Sequence, residues 1–275
     1  MGKFNFIQAG GIRGIPDAGN ITEKCCLETL ELFRENAMLA MATTTMPAFV
    51  FWTAMEWVKA GTRAKNQILG YDASDAQIAP AAQAIGQLFE RYMAEAMNLN
   101  RDEQVTHLIE KTTMFEKFCT DAGPNAEAVL TNLLKTIVVQ SCTVIEVLME
   151  DLYRATKMAF PKNFAHIGPK SWVSFRSRRG FRHTYATAFS HDAGDIDAAI
   201  TDKSIDALSL LRNVIVHKAS LADQDFRDGV NVTPLLAPFI SLQNNDPVEL
   251  DGEIVRSIVD PAFKAGYQLV VALDL

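Results

Sequence analysis

The sequence predicts an all-α protein, and three observations carry that expectation. Apolar residues recur at three- and four-residue spacing over long stretches, the spacing of a helix face. Strong helix formers such as Ala, Leu, Met, Glu and Lys are frequent. The 15 glycines and 10 prolines fall mostly between the periodic stretches rather than within them. With 48% hydrophobic and 21% charged residues, the 275-residue chain has ordinary globular composition and enough apolar material for one or two cores, which excludes a disordered polyelectrolyte.

Taken in order, the first residues, MGKFNFIQAGGIRGIPDAG, lack an apolar core with a cleavage site and read as a loosely docked leader rather than a secretory signal. Residues 21–60 read as two helices. Within them the uncharged stretch 37–55 is close to membrane-spanning length, but three threonines and Pro47 interrupt it and no marked basic flank orients it. A buried helix broken near Pro47 is expected there, and no membrane partner. Residues 75–99 and 100–119 have amphipathic spacing, the first with a cap at Ser74 or Asp75, and Asp121, Gly123 and Pro124 mark a boundary. Two regions result: an N-terminal helical accessory region over 1–122 and a second helical domain over 123–275.

The strongest periodicity runs over 125–159, where Leu130, Leu133, Leu134, Ile137, Val138, Cys142, Ile145, Leu148, Met149 and Leu152 predict a long core helix. Pro161, Gly168, Pro169 and Gly180 then predict an irregular connection. A second strong helix is expected over 201–217, on Ile205, Leu208, Leu211, Val214 and Ile215. After Lys218 the chain turns polar and loop-like. Asp251-Gly252 suits a tight type I′ turn, so a small β-hairpin is expected over 248–255. The segment 254–275 has helical spacing again, with Pro261 kinking it or starting its second half.

The four cysteines, Cys25, Cys26, Cys119 and Cys142, show no CxxC or Cys/His spacing, which argues against a zinc site and a disulfide framework and fits a reducing cytoplasm. The formal net charge of -7 conceals a basic island. From Leu152 to His191 stand Arg154, Lys157, Lys162, Lys170, Arg176, Arg178, Arg179 and Arg182, with no Asp or Glu. Such an island attracts phosphate locally without making the whole protein a polyanion binder. Trp172, Phe175 and Phe181 interleave with these arginines, the mixture that binds single-stranded RNA through phosphate contacts and base stacking. A solvated loop with aromatic anchors would read the same. His166, His183 and His191 lie in this segment without metal-ligand spacing.

Chemistry concentrates at Leu211-Arg212-Asn213-Val214-Ile215-Val216-His217, where an arginine and a histidine interrupt an apolar helical stretch. Five residues turn an ideal helix by about 500°, about 140° net, so the two do not share one face of a straight helix. They share a site if the helix end relaxes near His217, or if a second copy of the helix supplies the complementary groups. Histidine exchanges protons near neutral pH, and arginine presents a permanently charged planar fork to phosphate oxygens. A purely structural assignment also fits: Arg212 paired with Glu146 or Asp206, and His217 complementing the helix dipole.

The Arg-polar-spacer-His pattern of Arg212, Asn213 and His217 resembles the signature of the HEPN superfamily. The preceding helix, with Glu146 partway along it, is similar to that family's acidic helix. The resemblance covers roughly residues 125–275 and does not extend to 27–119. It implies an antiparallel helical bundle and a homodimer whose paired motifs form one RNA-cleaving cleft. It further implies metal-independent cleavage that leaves 2′,3′-cyclic phosphate and 5′-hydroxyl ends, with no cofactor. Arg212 and His217 would be catalytic, Asn213 and Glu146 supporting, and Arg176, Arg178, Arg179, Arg182 and Trp172 RNA-binding. The biology implied is toxin–antitoxin or anti-phage defence in the cytoplasm, with an antitoxin or regulatory protein as a further partner. A noncatalytic HEPN module that binds nucleotide or RNA or mediates dimerisation fits the same residues. So does an all-helical protein-interaction domain whose basic segment packs on acidic surface.

Overall fold

The architecture is set by which helix faces can be buried together. In a computed structural model of the chain, residues 21–42, 126–167, 178–190 and 193–274 are described, with Ile15 and Glu103 beside them. Their regular structure is helical, and no strand occurs among them. Contacts divide the chain into two units, Met1–Thr45 with Thr131–Leu275, and Met46–Leu130. The first unit holds nearly all of the described residues.

Helix α1 covers residues 24–42 and buries Cys26, Leu30, Phe33, Ala37 and Ala40, a single stripe at three- and four-residue spacing. The backbone donors just ahead of it are met from the far end of the chain. The Asp274 carboxylate accepts from the Thr22 N–H at 2.9 Å and from the Glu23 N–H at 2.6 Å. An acidic group there both satisfies orphan donors and complements the helix dipole. The Cys26 thiol donates to the Leu273 carbonyl at 3.3 Å, so the two ends of the unit are tied together.

Helix α2, Ala126–Ala159, is the long core helix expected from the periodicity. It buries Ile137, Val138, Cys142, Ile145, Leu148, Met149 and Leu152. Among the described helices its stretch Thr131–Ala159 is long and apolar enough to cross a membrane, and 50% of that apolar window is buried inside the fold. The expected break near Pro47, the helices over 75–99 and 100–119 and the boundary at 121–124 lie outside the described residues.

Helix α3, Arg178–Ala188, corrects the expectation of an irregular connection over this stretch. Gly180 costs a helix about 1 kcal/mol relative to alanine, but tertiary burial outweighs it. Tyr185 and Phe189, four residues apart, are buried and stack at 6.1 Å. Both meet Phe164, whose ring lies edge-on to Tyr185 at 6.5 Å and to Phe189 at 5.5 Å. Phe164 also meets Tyr153 of α2 at 5.7 Å, and Asn163 Nδ2 donates to the Ala188 carbonyl at 3.0 Å.

Helix α4, Ala193–Ile200, buries Ile196, Ala199 and Ile200. Helix α5, Lys203–His217, starts where Asp202 accepts from the Ser204 N–H at 2.8 Å. The stretch expected to be loop-like holds helix α6, Gln224–Val232, and a 3-10 turn, Pro234–Phe239. Phe226, Val230, Leu236 and Phe239 are too sparse to read as a periodic run, yet each is buried by neighbouring elements.

Helix α7, Gly252–Ala272, replaces the expected hairpin and runs through Pro261 without ending. The Asp251 carboxylate accepts from the Ile254 N–H at 2.7 Å, so Asp-Gly starts a helix here instead of turning a hairpin. The same dipeptide serves either use, and the apolar face behind it decides. Helix α7 packs on α4 and α5, α3 on α4, and α5 on α6 and the 3-10 turn. Phe33 of α1 meets Phe263 of α7 edge-on at 5.8 Å, close to the point where α1, α2 and α7 converge on Gly266.

Candidate functional site

Helix α5 turns one face inward and leaves its last turn in solvent. Ile205, Leu208, Leu211 and Val214 are buried, Arg212 is half-buried, and Asn213, Val216 and His217 are exposed. The helix then stops abruptly. The Val214 carbonyl accepts from both the Lys218 and Ser220 N–H groups, at 3.2 and 3.0 Å, while Ala219 and Ser220 take φ of 52° and 64°. Beyond the stop the backbone is stitched to a second loop: the Val248 N–H donates to the Ser220 carbonyl at 2.8 Å, and the Ala222 N–H to the Asp246 carbonyl at 2.9 Å. His217 therefore sits on a helix end anchored from both sides.

Within this frame Arg212 Nη1 lies 3.2 Å from His217 Nε2 and donates to Asn213 Oδ1 at 3.1 Å. The 140° separation along the helix is spanned by the reach of the arginine arm, and a single chain brings the two tips together. Asn213 holds the same Nη1, which makes the three motif residues one hydrogen-bonded group.

The neighbourhood carries a further charged pair that the residue pattern did not single out. Lys218 Nζ lies 3.2 Å from Asp223 Oδ2, so the ammonium beside His217 is matched by a carboxylate. Asp223 also caps α6, accepting from the Phe226 N–H at 2.9 Å. That backbone bond, joined by Lys218, holds its carboxyl below the usual carboxylate range. The signal was present as an aspartate three residues before Phe226, the spacing of an N-cap.

Neither acid weighed as a partner for Arg212 is bonded to it. Glu146 stands half-buried on α2, whereas the bonds of Arg212 go to Asn213 and His217. Asp206, the other acid weighed for Arg212, pairs with Lys203 at 3.5 Å. Trp172 and Arg176 lie outside the described residues. Arg178, Arg179 and Arg182 belong to α3, whose described side chains begin at His183.

Among the described residues no three His, Cys, Asp or Glu side chains gather as a metal site requires. Two open grooves run along α1 and α2, one beside Cys25, Leu32 and Met158 and one beside Leu39, Val144 and Val147, and no motif residue lines either. Against family models, curated proteins and solved structures, the chain finds no match.

Proposed function

We propose that this protein is a metal-independent endoribonuclease of the HEPN type, acting as a homodimer on RNA in the cytoplasm, in toxin–antitoxin or anti-phage defence. The observation that carries the reading is the contact between Arg212 Nη1 and His217 Nε2 at 3.2 Å, on the exposed end of a helix among described residues that form helices and no strand. A proton-exchanging ring beside a permanent planar cation can supply the proton transfer and the charge stabilisation that cleavage through a ribose 2′-hydroxyl uses.

In the proposed reaction His217 takes the proton of the 2′-hydroxyl, and the resulting oxygen attacks the adjacent phosphorus. Arg212 stabilises the added negative charge on the phosphorane oxygens. The 5′ oxygen leaves with a proton returned by a histidine, giving a 2′,3′-cyclic phosphate and a 5′-hydroxyl. Because the nucleophile belongs to the substrate, DNA is not cut. The homodimer brings two exposed motifs together and supplies separate groups for the two proton transfers. Arg176, Arg178, Arg179, Arg182 and Trp172 hold the strand, and an antitoxin or regulatory protein restrains the activity.

Purified protein is incubated with end-labelled RNA in chelator, and the product ends are read. Wild type is expected to yield cyclic phosphate ends, and Arg212→Ala and His217→Ala each to lose about 100-fold or more of the rate. Both variants should keep the wild-type circular dichroism spectrum, since neither side chain is in the core. Arg178→Ala with Arg179→Ala is expected to weaken RNA binding and flatten its salt dependence by about 1.4 in log–log slope. RNA bound by wild type and never cut would overturn catalysis and leave the noncatalytic HEPN binding module.

A further inference from the structure

The Arg212–His217 contact has a chemical direction. A guanidinium has only donors, so the hydrogen bond across the 3.2 Å between Arg212 Nη1 and His217 Nε2 requires Nε2 to be the acceptor. The imidazole is then neutral with its proton on Nδ1, whereas a neutral histidine side chain in water favours the proton on Nε2. Nη1 has two hydrogens, and both are committed, one to Asn213 Oδ1 at 3.1 Å and one to His217 Nε2. Among the described residues, Nε and Nη2 of Arg212 have no partner, so the donors of one edge of the fork are unclaimed.

We propose that this contact is a substrate-operated latch: Arg212 caps the Nε2 lone pair of His217 in the free protein, and a phosphodiester uncovers it by drawing the guanidinium away. The proposal rests on the reading of these two residues as the site of RNA cleavage and adds the order in which they act. The unclaimed Nε/Nη2 edge lets a phosphate dock while the latch is closed. A charge-assisted bond from arginine to phosphate is about twice as strong as a bond between neutral partners. The imidazole acceptor is neutral, so the phosphate wins the competition as the guanidinium turns to face two of its oxygens. Nε2 then becomes available as a base when its substrate is already in place.

The neighbouring charges do not supply an alternative cap. Lys218, the closest other cation along the chain, is engaged with Asp223 at 3.2 Å. Asn213 keeps the guanidinium near the ring without competing for Nε2, because its contact runs through its amide oxygen.

The test reads the imidazole nitrogens of His217 directly, by long-range proton–nitrogen NMR on 15N-labelled protein with the ring neutral. The signal is assigned by its loss in His217→Gln. The latch requires a majority Nδ1–H form in wild type and reversal to a majority Nε2–H form as inorganic phosphate is titrated in. Arg212→Ala is expected to show the Nε2–H majority without phosphate. An Nε2–H majority in unliganded wild type, or an Nδ1–H population unmoved at saturating phosphate, overturns the latch. The readout needs no RNA, so the two readings fail separately. A tautomer that reverses in a protein that cuts no RNA sinks the nuclease and keeps the latch, and an active nuclease with Nε2–H throughout does the opposite.

Discussion

Asp223 does two jobs at one position, and its titration reflects both. The Phe226 N–H, then Lys218, favours its ionised form, so its folded carboxyl lies below the ordinary range. A depressed carboxylate stabilises the fold above the unfolded value of about 4 and loses that contribution as pH falls through the folded value. Asp223→Ala is therefore expected to cost about 1 kcal/mol at neutral pH, the worth of an N-cap, with the gap to wild type closing in acid as pH falls through the folded value. Urea unfolding at neutral and acid pH checks it; a gap that persists in acid would assign the effect to packing. Legibility at this scale was uneven. Arg212, Asn213 and His217 could be singled out directly because an arginine and a histidine interrupt an apolar helical stretch. The pairing of Lys218 with Asp223 could not, because it depends on how the chain folds back after two residues at positive φ.

Between helices, close approach is set where glycine leaves room. A Cβ on Gly266 would lie 2.9 Å from Leu148 Cδ2, 2.9 Å from Phe33 Cζ and 3.1 Å from Ile145 Cδ1, and all three side chains are buried. A Cβ on Gly229 would meet a single side chain, Leu210, with Cδ1 at 2.6 Å. Leu210 is half-buried and has solvent to turn into. Gly266→Val should thus destabilise by about 2 kcal/mol or more, since overpacking a closed core forces several elements apart. Gly229→Ala should change stability by less than about 1 kcal/mol, because helix propensity gained offsets the rotation of one leucine. Comparable losses in the two variants, measured by chemical denaturation, would contradict this account. The long helix α2 and helix α5 were readable from periodicity, which their burial preserves. Helices α3 and α6 were not, because arginines in one and polar residues in the other hide two or three buried anchors that only tertiary neighbours make decisive.

Across the molecule, the fold joins residues far apart in sequence, and Asp274 is the clearest case. It caps helix α1 across 252 positions, which satisfies donors that α1 could not satisfy alone. Asp274→Ala is expected to cost about 1 kcal/mol, a few degrees in melting temperature, while Asp274→Asn keeps part of the cap. Equal losses in both variants would show that charge, not capping geometry, carries the contact. The sequence by itself determined the helical character and the long apolar helix, because periodicity is a local property. It did not determine that α1 packs beside α7, that Asp-Gly starts α7, or that Arg212 reaches His217 within one chain. Those outcomes depend on which apolar faces find each other and where the backbone stops, and only the tertiary structure decides them.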